Sequence, residues 1–262
     1  VQDIAKVAGS ELLCVDQRQT LEPISLSFQG ELSAEQDKAI KAVLAHDMGL
    51  LVAPPGAGKT VMGCYAAAQR GQPTLILADR KPILEQWRKQ LITLLGLTTR
   101  QIGQVGGGRD RQTGLVDLAT IQSLARRDDL PEFFSRYGFI IMDECHHLPA
   151  ATFEACIRQA PARYFLGLTA TPYRRDGLQD IIAMQCGPIR HRMAERSSDL
   201  SLRLYSRETD FALGQQEDIQ IQEIFRCLVQ NDARSALIEE DVSAALAEGR
   251  RCLILSHWKE HC

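Results

Sequence analysis

The sequence predicts an α/β fold in which a mainly parallel β-sheet is flanked by helices. Short apolar runs alternate with segments of helical periodicity from residue 33 to about residue 190, a pattern typical of βαβ units. In addition, a glycine-rich loop follows one apolar run, and acidic residues end another. The candidate buried strands are residues 49–53, 74–78, 116–119, 139–143 and 164–168.

Local signals place helices between these strands. Ser33 and Gln36 have the spacing of a capping box, in which Gln36 reaches back to the amide of Ser33 at the start of a helix. Pro82 suits the first turn of another helix, and one face of that helix carries Leu84, Trp87, Leu91 and Leu94. No helical pattern follows Gly106–Arg109, so we expect an exposed turn there.

The pattern changes after Pro188, and we divide the chain into three regions. Residues 1–30 form an N-terminal extension to which we assign no role, residues 31–196 form a first α/β domain, and residues 197–262 begin a second. The chain stops soon after the last predicted strand, so we expect the second lobe to be incomplete. The elements predicted in this third region are a strand at 200–204, helices at about 218–230 and 233–248, a C-terminal cap at Gly249, and a buried strand at 252–256.

Composition and charge exclude several classes of protein. The formal net charge is −3, so any surface for nucleic acid must be a local basic patch. The eight cysteines include no Cys-x-x-Cys pair, so we expect reduced thiols and no zinc site. Neither a secretory signal nor an apolar run of membrane-spanning length is present. We therefore expect a cytoplasmic protein without a membrane partner.

The glycine-rich loop is predicted to bind phosphate. Residues 53–60 read Ala-Pro-Pro-Gly-Ala-Gly-Lys-Thr and follow the apolar run 49–52 directly. Glycines let such a loop turn with its amides pointing inward, and the positive end of the following helix adds to the attraction for an anion. The expected phosphate-binding residues are Pro55, Gly56, Ala57, Gly58, Lys59 and Thr60. Among them, Lys59 is expected to reach the β- and γ-phosphates, and the Thr60 hydroxyl to ligate Mg²⁺.

A second chemical feature ends the predicted strand 139–143. Asp143 and Glu144 follow four apolar residues, at the strand end where ligands bind in open α/β sheets. We expect Asp143 to hold Mg²⁺, usually through water, beside Thr60. Glu144 is expected to orient and activate the water that attacks the γ-phosphate. The alternative is that both acidic residues merely end a strand and cap the next segment.

Together these segments resemble superfamily 2 helicases and translocases. Residues 143–146 resemble the DExH box, residues 53–60 match the A-x-x-G-x-G-K-T form of the phosphate loop, and residues 168–172 look like motif III. Motif Ia and the helix after it are resembled by residues 75–91, and the segment between motifs Ia and II by residues 119–124. Motif IV is resembled by residues 253–261. The resemblance spans roughly residues 30–262. The sequences of residues 143–150 and 167–177 are similar to those of the XPB-like and restriction-subunit-like branch. It implies a RecA-like P-loop NTPase fold.

The resemblance also implies roles for individual residues. It implies that Gln36 contacts adenine, which a helix cap at the same residue does not exclude. It assigns His146 to the catalytic set, and gives Thr169 and Thr171 hydroxyl contacts that couple the DExH box, especially His146, to nucleic acid. The plain alternative for the two threonines is that they end a buried strand. The implied nucleic-acid contacts are Arg80, Thr120, Gln122, Arg174 and Arg175.

One element departs from the family pattern. XPB-like helicases carry Arg-Glu-Asp after motif III, whereas this chain has Arg174-Arg175-Asp176. A base therefore replaces the central acid, and a strand-separating role carried over from that element becomes doubtful. The two arginines either contact phosphates or lie on a solvated loop.

The function implied by the resemblance is an ATP-dependent helicase or translocase that acts on nucleic acid, DNA rather than RNA, with ATP and Mg²⁺ as cofactors. Two lobes enclose ATP in such enzymes, and the second supplies arginines to the γ-phosphate. We therefore expect this chain alone to be weakly active or inactive. The alternative is an ATP-gated module that remodels a complex, or feeds DNA to a nuclease or primase, without separating strands.

Overall fold

The computed structural model describes residues 15–145, 150–171, 179–194, 203–209, 211–212, 220–256 and 258, together with the single residues 7, 9 and 13. Contacts within the chain divide it into two compact units, Val1–Ser197 and Ser198–Cys262. In none of the described ranges does a helix have the length and apolar character needed to cross a membrane.

The first unit is built on an eight-stranded sheet with the order β4-β3-β5-β2-β6-β7-β1-β8. Every described pairing is parallel except that of β3 with β4, which form an antiparallel hairpin. The strands are β1 (Met48–Val52), β2 (Thr74–Ala78), β3 (Ile102–Val105), β4 (Asp110–Arg111), β5 (Val116–Thr120), β6 (Phe139–Asp143), β7 (Tyr164–Thr169) and β8 (Ile189–Arg192).

All five strands predicted from the apolar runs are present, as β1, β2, β5, β6 and β7. Three strands lie outside the prediction. The strands β4 and β8 are the two edges of the sheet, and their polar, partly exposed residues lack the apolar pattern of a buried strand. The third, β3, is buried but has Gly103 and Gln104 at its centre. The turn predicted at Gly106–Arg109 joins β3 to β4, and the Gly106 amide donates to the Arg109 carbonyl at 2.8 Å.

Helices cover both faces of the sheet. They are α1 (Ala34–Leu44), α2 (Lys59–Arg70), α3 (Lys81–Leu95), α4 (Ile121–Leu124), α5 (Leu130–Phe134), α6 (Ala150–Ile157) and α7 (Gln179–Cys186). Along β2, Ile76 joins the core that contains residues of α1, α2 and α3, whereas Leu75 and Leu77 join the core that contains residues of α4 to α7. Burial on both faces explains why the central strands are nearly continuous apolar runs.

The N-terminal strap, residues 19–32, packs against the first unit. Its Ile24 amide donates to the Gly71 carbonyl at 2.8 Å, just past the end of α2, and its Gln29 amide donates to the Leu94 carbonyl at 2.7 Å, in the last turn of α3. Phe28 adds an edge-to-face contact with Tyr65 of α2. The extension that has no role by sequence therefore holds the ends of two helices together.

The second unit contains two described helices, α8 (Ile221–Val229) and α9 (Asp232–Ala247), close to their predicted bounds. At the end of α9, Gly249 has φ +74°. Its amide donates to Leu246, and the Arg250 amide donates to Ala245, which is the Schellman arrangement. The predicted cap at Gly249 is thus present.

The two strands predicted in this unit are not borne out where the structure describes them. Leu204 is 98% exposed and belongs to no strand, while Leu200 and Leu202 lie outside the described residues. Cys252–Ser256 also form no strand, and Leu253 and Leu255 are more than 80% exposed. An apolar run becomes a buried strand only beside a partner strand, and the described part of this unit contains none.

Close packing between α2 and α3 depends on a glycine. Gly63 lies in the middle of α2, and a Cβ at this position would clash with the Cη2 atom of the Trp87 ring and lie 3.4 Å from Leu168 Cδ1. Trp87 itself is fully buried on α3. The absence of a side chain at Gly63 therefore lets the indole lie between the two helices and the sheet.

We expect Gly63→Ala to lower the free energy of unfolding by about 1–3 kcal/mol through overpacking, despite the better helix propensity of alanine. The measurement is a double-mutant cycle by chemical denaturation with Trp87→Phe, which removes the clashing ring atoms. Gly63→Ala should cost less in the Trp87→Phe background. Strictly additive effects would contradict the proposed contact.

Candidate active site

Three predicted motifs meet at the carboxyl edge of the sheet. The phosphate loop follows β1, Asp143 ends β6, and Thr169 ends β7, which lies between them. Val52 is in register with Thr169, and Asp143 with Leu168. The Ala53 amide, the first of the loop, donates to the Thr169 carbonyl at 2.9 Å. Parallel pairing therefore brings residues that are far apart in the chain to one edge.

The loop conformation requires its glycines. Gly56 and Gly58 have φ of +77° and +84°, in the left-handed region that side chains disfavour. A Cβ at Gly58 would clash with Gln36 Nε2, whereas a Cβ at Gly56 would have no atom within 4 Å. Helix α2 begins directly after Gly58, at Lys59. The loop is thus closed by Gln36 on one side and open at Gly56.

Gln36 connects the loop to the start of α1. Both bonds of the capping box are present, since the Ser33 amide donates to Gln36 Oε1 at 2.9 Å and the Gln36 amide donates to Ser33 Oγ at 3.3 Å. The side-chain Nε2 of Gln36 also donates to the Ala57 carbonyl at 2.9 Å. The predicted cap is confirmed, and it fixes the side-chain amide beside the loop. The contact with adenine stays a prediction.

Lys59 and Glu144 form an ion pair across the site. Lys59 Nζ lies 3.2 Å from Glu144 Oε1 and donates to the Ala53 carbonyl at 3.3 Å. Glu144 has φ +47°, and within the described residues no other non-glycine residue has a positive φ. Backbone strain of this kind is common at active sites. Here the unusual turn after β6 accompanies a carboxylate that faces the lysine of the phosphate loop.

Asp143 is a buried carboxylate with a hydrogen bond at each oxygen. Its Oδ2 accepts from Trp87 Nε1 at 2.7 Å, and its Oδ1 accepts from the Glu144 amide at 3.0 Å. Burial raises the pKa of Asp143 above its usual value. The Trp87 hydrogen bond opposes this rise in pKa, the charge of Glu144 adds to it, and that of Lys59 opposes it. The sequence predicted Trp87 only as a core residue, because helical periodicity does not reveal which ring atom meets a polar partner.

These residues line a cavity of about 410 Å³, which includes Gly56, Lys59, Thr60, Asp143 and Glu144. Three further residues from α3 complete its wall: Ile83, Gln86 and Gln90. None of these three was predicted to be a site residue. Gln86 and Gln90 are four positions apart, so they lie on one face of α3, and this spacing is the signal that could have indicated them.

Three of the residues implied to contact nucleic acid, Arg80, Thr120 and Gln122, lie further along the same edge. Arg80 follows β2, and Thr120 ends β5, where it is in register with Ala78. Arg80 is exposed and pairs with Asp79 at 2.9 Å, and Gln122 is exposed. Thr120 is buried, and its hydroxyl lies 2.7 Å from Ser123 Oγ. Their contact with nucleic acid stays a prediction.

The remaining predicted residues are described only in part. Thr169 is 1% exposed, and its Oγ1 donates to the Thr171 carbonyl at 2.6 Å. This bond connects Thr169 with Thr171 at the end of β7. His146, Arg174 and Arg175 lie outside the described residues, so the coupling implied between motif III and His146 stays a prediction.

The raised pKa of Asp143 leads to a prediction about stability. Because the folded-state pKa lies above the ordinary value of 3.8, the folded protein binds the proton more tightly than the unfolded chain. Its stability therefore falls as the pH rises from below 3.8 through the folded-state pKa, and above that pKa the cost of the buried charge is constant. We expect Asp143→Asn to raise the melting temperature at pH 7, measured by circular dichroism.

The matched control is Asp128→Asn, which removes an exposed carboxylate in the same unit and should leave the melting temperature unchanged. A lower melting temperature for Asp143→Asn than for the wild type at pH 7 would show that the carboxylate is stabilised in place, against this expectation.

Comparison with known proteins identifies the family of this chain. The sequence profile of the family described as type III restriction enzyme, res subunit, matches residues 29–174, more than half of the chain. The DNA 3'-5' helicase XPB of Mycobacterium tuberculosis is 38% identical over 176 residues, which cover 64% of this chain and 32% of that protein. The DNA 3'-5' translocase XPB2 of Sulfurisphaera tokodaii is 32% identical over 162 residues, which cover 62% of this chain and 36% of that protein.

Solved structures share the fold at low sequence identity. The UvsW helicase from bacteriophage T4 superposes with a TM-score of 0.56 at 17% identity, covering 72% of this chain and 75% of that chain. The SWI2/SNF2 ATPase core of Sulfolobus solfataricus superposes with a TM-score of 0.52 at 19% identity, covering 64% of this chain and 38% of that chain. The predicted RecA-like α/β fold of the first unit is therefore confirmed.

The chain spans about a third of the length of the two curated relatives, 32% and 36%. Its profile match covers the phosphate loop, the DExH strand and motif III, the segments that the sheet brings together at one edge. The chain therefore belongs to the type III restriction enzyme res-subunit family, and it is similar to the helicase and translocase named XPB and XPB2.

Proposed function

We propose that this chain is the ATP-binding part of an ATP-dependent DNA translocase or helicase. The observation that carries the proposal is the cavity that joins the phosphate loop, its Lys59, and the acidic pair Asp143 and Glu144. Family membership supports it, as do relatives that are named DNA 3'-5' helicase and DNA 3'-5' translocase. In this proposal residues 31–196 are the ATP-binding lobe, and residues 197–262 begin the second lobe.

The residues present fit a nucleoside triphosphate and Mg²⁺. The open side of the loop at Gly56 and the amino end of α2 would accept the phosphates. Thr60 and Asp143 line the same cavity and would hold the ion. The described residues contain no cluster of three acidic, histidine or cysteine groups, and Mg²⁺ bound to a nucleotide needs none, because one or two carboxylates and the phosphates suffice. When bound, Mg²⁺ would neutralise charge on the phosphates.

The ion pair between Lys59 and Glu144 suggests how phosphate would prepare the site. Lys59 Nζ is held by Glu144 and the Ala53 carbonyl, and an arriving phosphate would offer it a stronger anionic partner. Once Lys59 turns to phosphate, Glu144 can accept a proton from a water molecule in the same cavity. Glu144 lines this cavity and has a positive φ at the turn after β6. The lysine and the base thus act in sequence.

The proposed DNA contacts share the sheet edge with this cavity. Arg80 and Gln122 are exposed near the ends of β2 and β5, while β6 carries Asp143. Contacts from such residues to backbone phosphates would position DNA without reading its sequence, as a motor requires. We prefer DNA to RNA because the relatives XPB and XPB2 are named as DNA helicase and DNA translocase. A nuclease, a primase or further domains as partners stay predictions.

The first test is equilibrium binding of a fluorescent ATP analogue in Mg²⁺, with unlabelled ATP as competitor. We expect Lys59→Ala to weaken binding at least tenfold, because the variant lacks the charge that meets the phosphates. Glu144→Gln should bind at least as tightly as the wild type. Because the chain alone is expected to be at most weakly active, phosphate release is measured under single-turnover conditions with excess protein and DNA. There Glu144→Gln should be about 10²-fold or more slower than the wild type. Unchanged nucleotide binding by Lys59→Ala would disprove the proposed site.

A second test concerns Trp87 as a positioning residue for Asp143. Trp87→Phe keeps an aromatic ring but removes the N–H that donates to the carboxylate. Hydrogen bonds to charged groups contribute about 1.5–3 kcal/mol, so we expect the affinity for ATP in Mg²⁺ to fall roughly tenfold. The affinity measured in EDTA should not change.

Tyr137→Phe is the matched control. It removes a different buried donor, the Tyr137 hydroxyl, which also lies 2.7 Å from a carboxylate, that of Asp117. This variant should lose stability without any change in Mg²⁺ dependence. An equal decrease of affinity with and without Mg²⁺ in Trp87→Phe would assign the indole a purely structural role.

A further inference from the structure

A second cavity, of about 520 Å³, lies between α3 and the β3–β4 hairpin. It shares no lining residue with the cavity at Lys59. Its lining is mainly positively charged, because four arginines and one acidic residue, Asp110, contribute to it. The basic residues are Arg88, Arg100, Arg109 and Arg111.

Arg88 is a buried guanidinium without an adequate anionic partner. It is 9% exposed, and its Nη2 donates to Gln104 Oε1 at 2.5 Å. The same oxygen accepts from Arg109 Nη1 at 3.2 Å, so two guanidinium groups share one neutral acceptor. The Nε atom of Arg88 is buried and has no hydrogen-bond partner among the described residues. Burial accordingly lowers the pKa of Arg88.

Neighbouring acidic groups do not balance this charge. Both oxygens of Asp110 accept from Arg127 at 3.0 Å. Glu85 Oε2 lies 3.8 Å from Arg88 Nε, beyond hydrogen-bond distance, and its side chain is 54% exposed. A buried charge without a partner is costly. An oxygen-rich anion in this cavity would supply the missing acceptors, and phosphate suits the forked guanidinium best.

The cavity adjoins the edge where DNA contacts are proposed. The glycine turn of the hairpin connects the two places. A Cβ at Gly106 would clash with Ser123 Oγ and lie 2.9 Å from Thr120 Oγ1, and one at Gly107 would lie 2.9 Å from the Lys81 side chain. Arg109 follows this turn directly. The turn therefore packs against the end of β5 and Lys81 on one side and leads to Arg109 of the arginine cavity on the other.

We propose that the arginine cavity binds a backbone phosphate of the DNA on which the motor acts, with Arg88 and Arg109 as its ligands. This inference rests on the proposed function. The bound phosphate would lie outside the contacts at Arg80 and Gln122, and would hold DNA to the lateral edge of the sheet during each ATP cycle.

The test is fluorescence anisotropy of labelled single-stranded and duplex DNA with the full chain, at several salt concentrations. The variant Arg100→Ala/Arg109→Ala removes two exposed side chains and should fold normally. We expect its affinity for DNA to fall about three- to tenfold. The slope of log affinity against log salt should become shallower by about 0.7–0.9 for each phosphate that the variant no longer neutralises. Its affinity for ATP in Mg²⁺ should equal that of the wild type.

The charge-matched control is Arg136→Ala/Arg158→Ala. Both arginines are exposed and precede the amino ends of β6 and β7, at the opposite edge of the sheet. If the control loses as much DNA affinity as the cavity variant, only general electrostatics acts and the inference is overturned. It is also overturned, with the proposed function intact, if the wild type binds DNA and the cavity variant has the same affinity and salt slope. A wild type that binds ATP but no DNA would instead defeat the proposed function itself.

Discussion

The carboxylate of Asp143 must remain buried and charged to be of use at the end of β6, and much of the first unit is arranged around that requirement. Its stabilisation comes largely from the indole N–H of Trp87, 2.7 Å from Oδ2. The indole reaches this position because α2 has a glycine, Gly63, where any side chain would meet the ring. Trp87 on α3 thus contacts both Asp143 at the end of β6 and Gly63 on α2, and links the carboxylate to the packing of the two helices.

The strand order gives the site its connections. Because β7 lies between β1 and β6, the start of motif III contacts the phosphate loop, where the Ala53 amide donates to the Thr169 carbonyl. The ends of β2 and β5 lie on the other side of β6. A change at the loop thus has a short, hydrogen-bonded route toward the surface proposed for DNA.

The elements that were predictable from sequence are those whose burial on two faces leaves a strong pattern. The strands β1, β2, β5, β6 and β7 are apolar runs, and the loop and the acidic pair follow two of them. The strands β4 and β8 escaped prediction, because edge strands are short, polar and partly exposed. The prediction for Cys252–Ser256 was wrong, because an apolar run does not reveal whether a partner strand lies beside it. The bond from Trp87 to Asp143 was also missed, since the two residues are 56 positions apart and only the tertiary fold brings them together.

The N-terminal strap ties α2 and α3 at the ends that point away from the cavity. Helix α2 begins in the phosphate loop at Lys59, and α3 begins at Lys81, beside the proposed DNA surface. The far ends of both helices are bound to one segment through Ile24 and Gln29. The two helices are therefore connected at these ends. A small displacement of α2 by a bound phosphate would then tilt α3 as well. Without the strap, each helix would respond alone. The segment to which the sequence assigns no role would thus determine how strongly the phosphate loop and the proposed DNA surface are coupled.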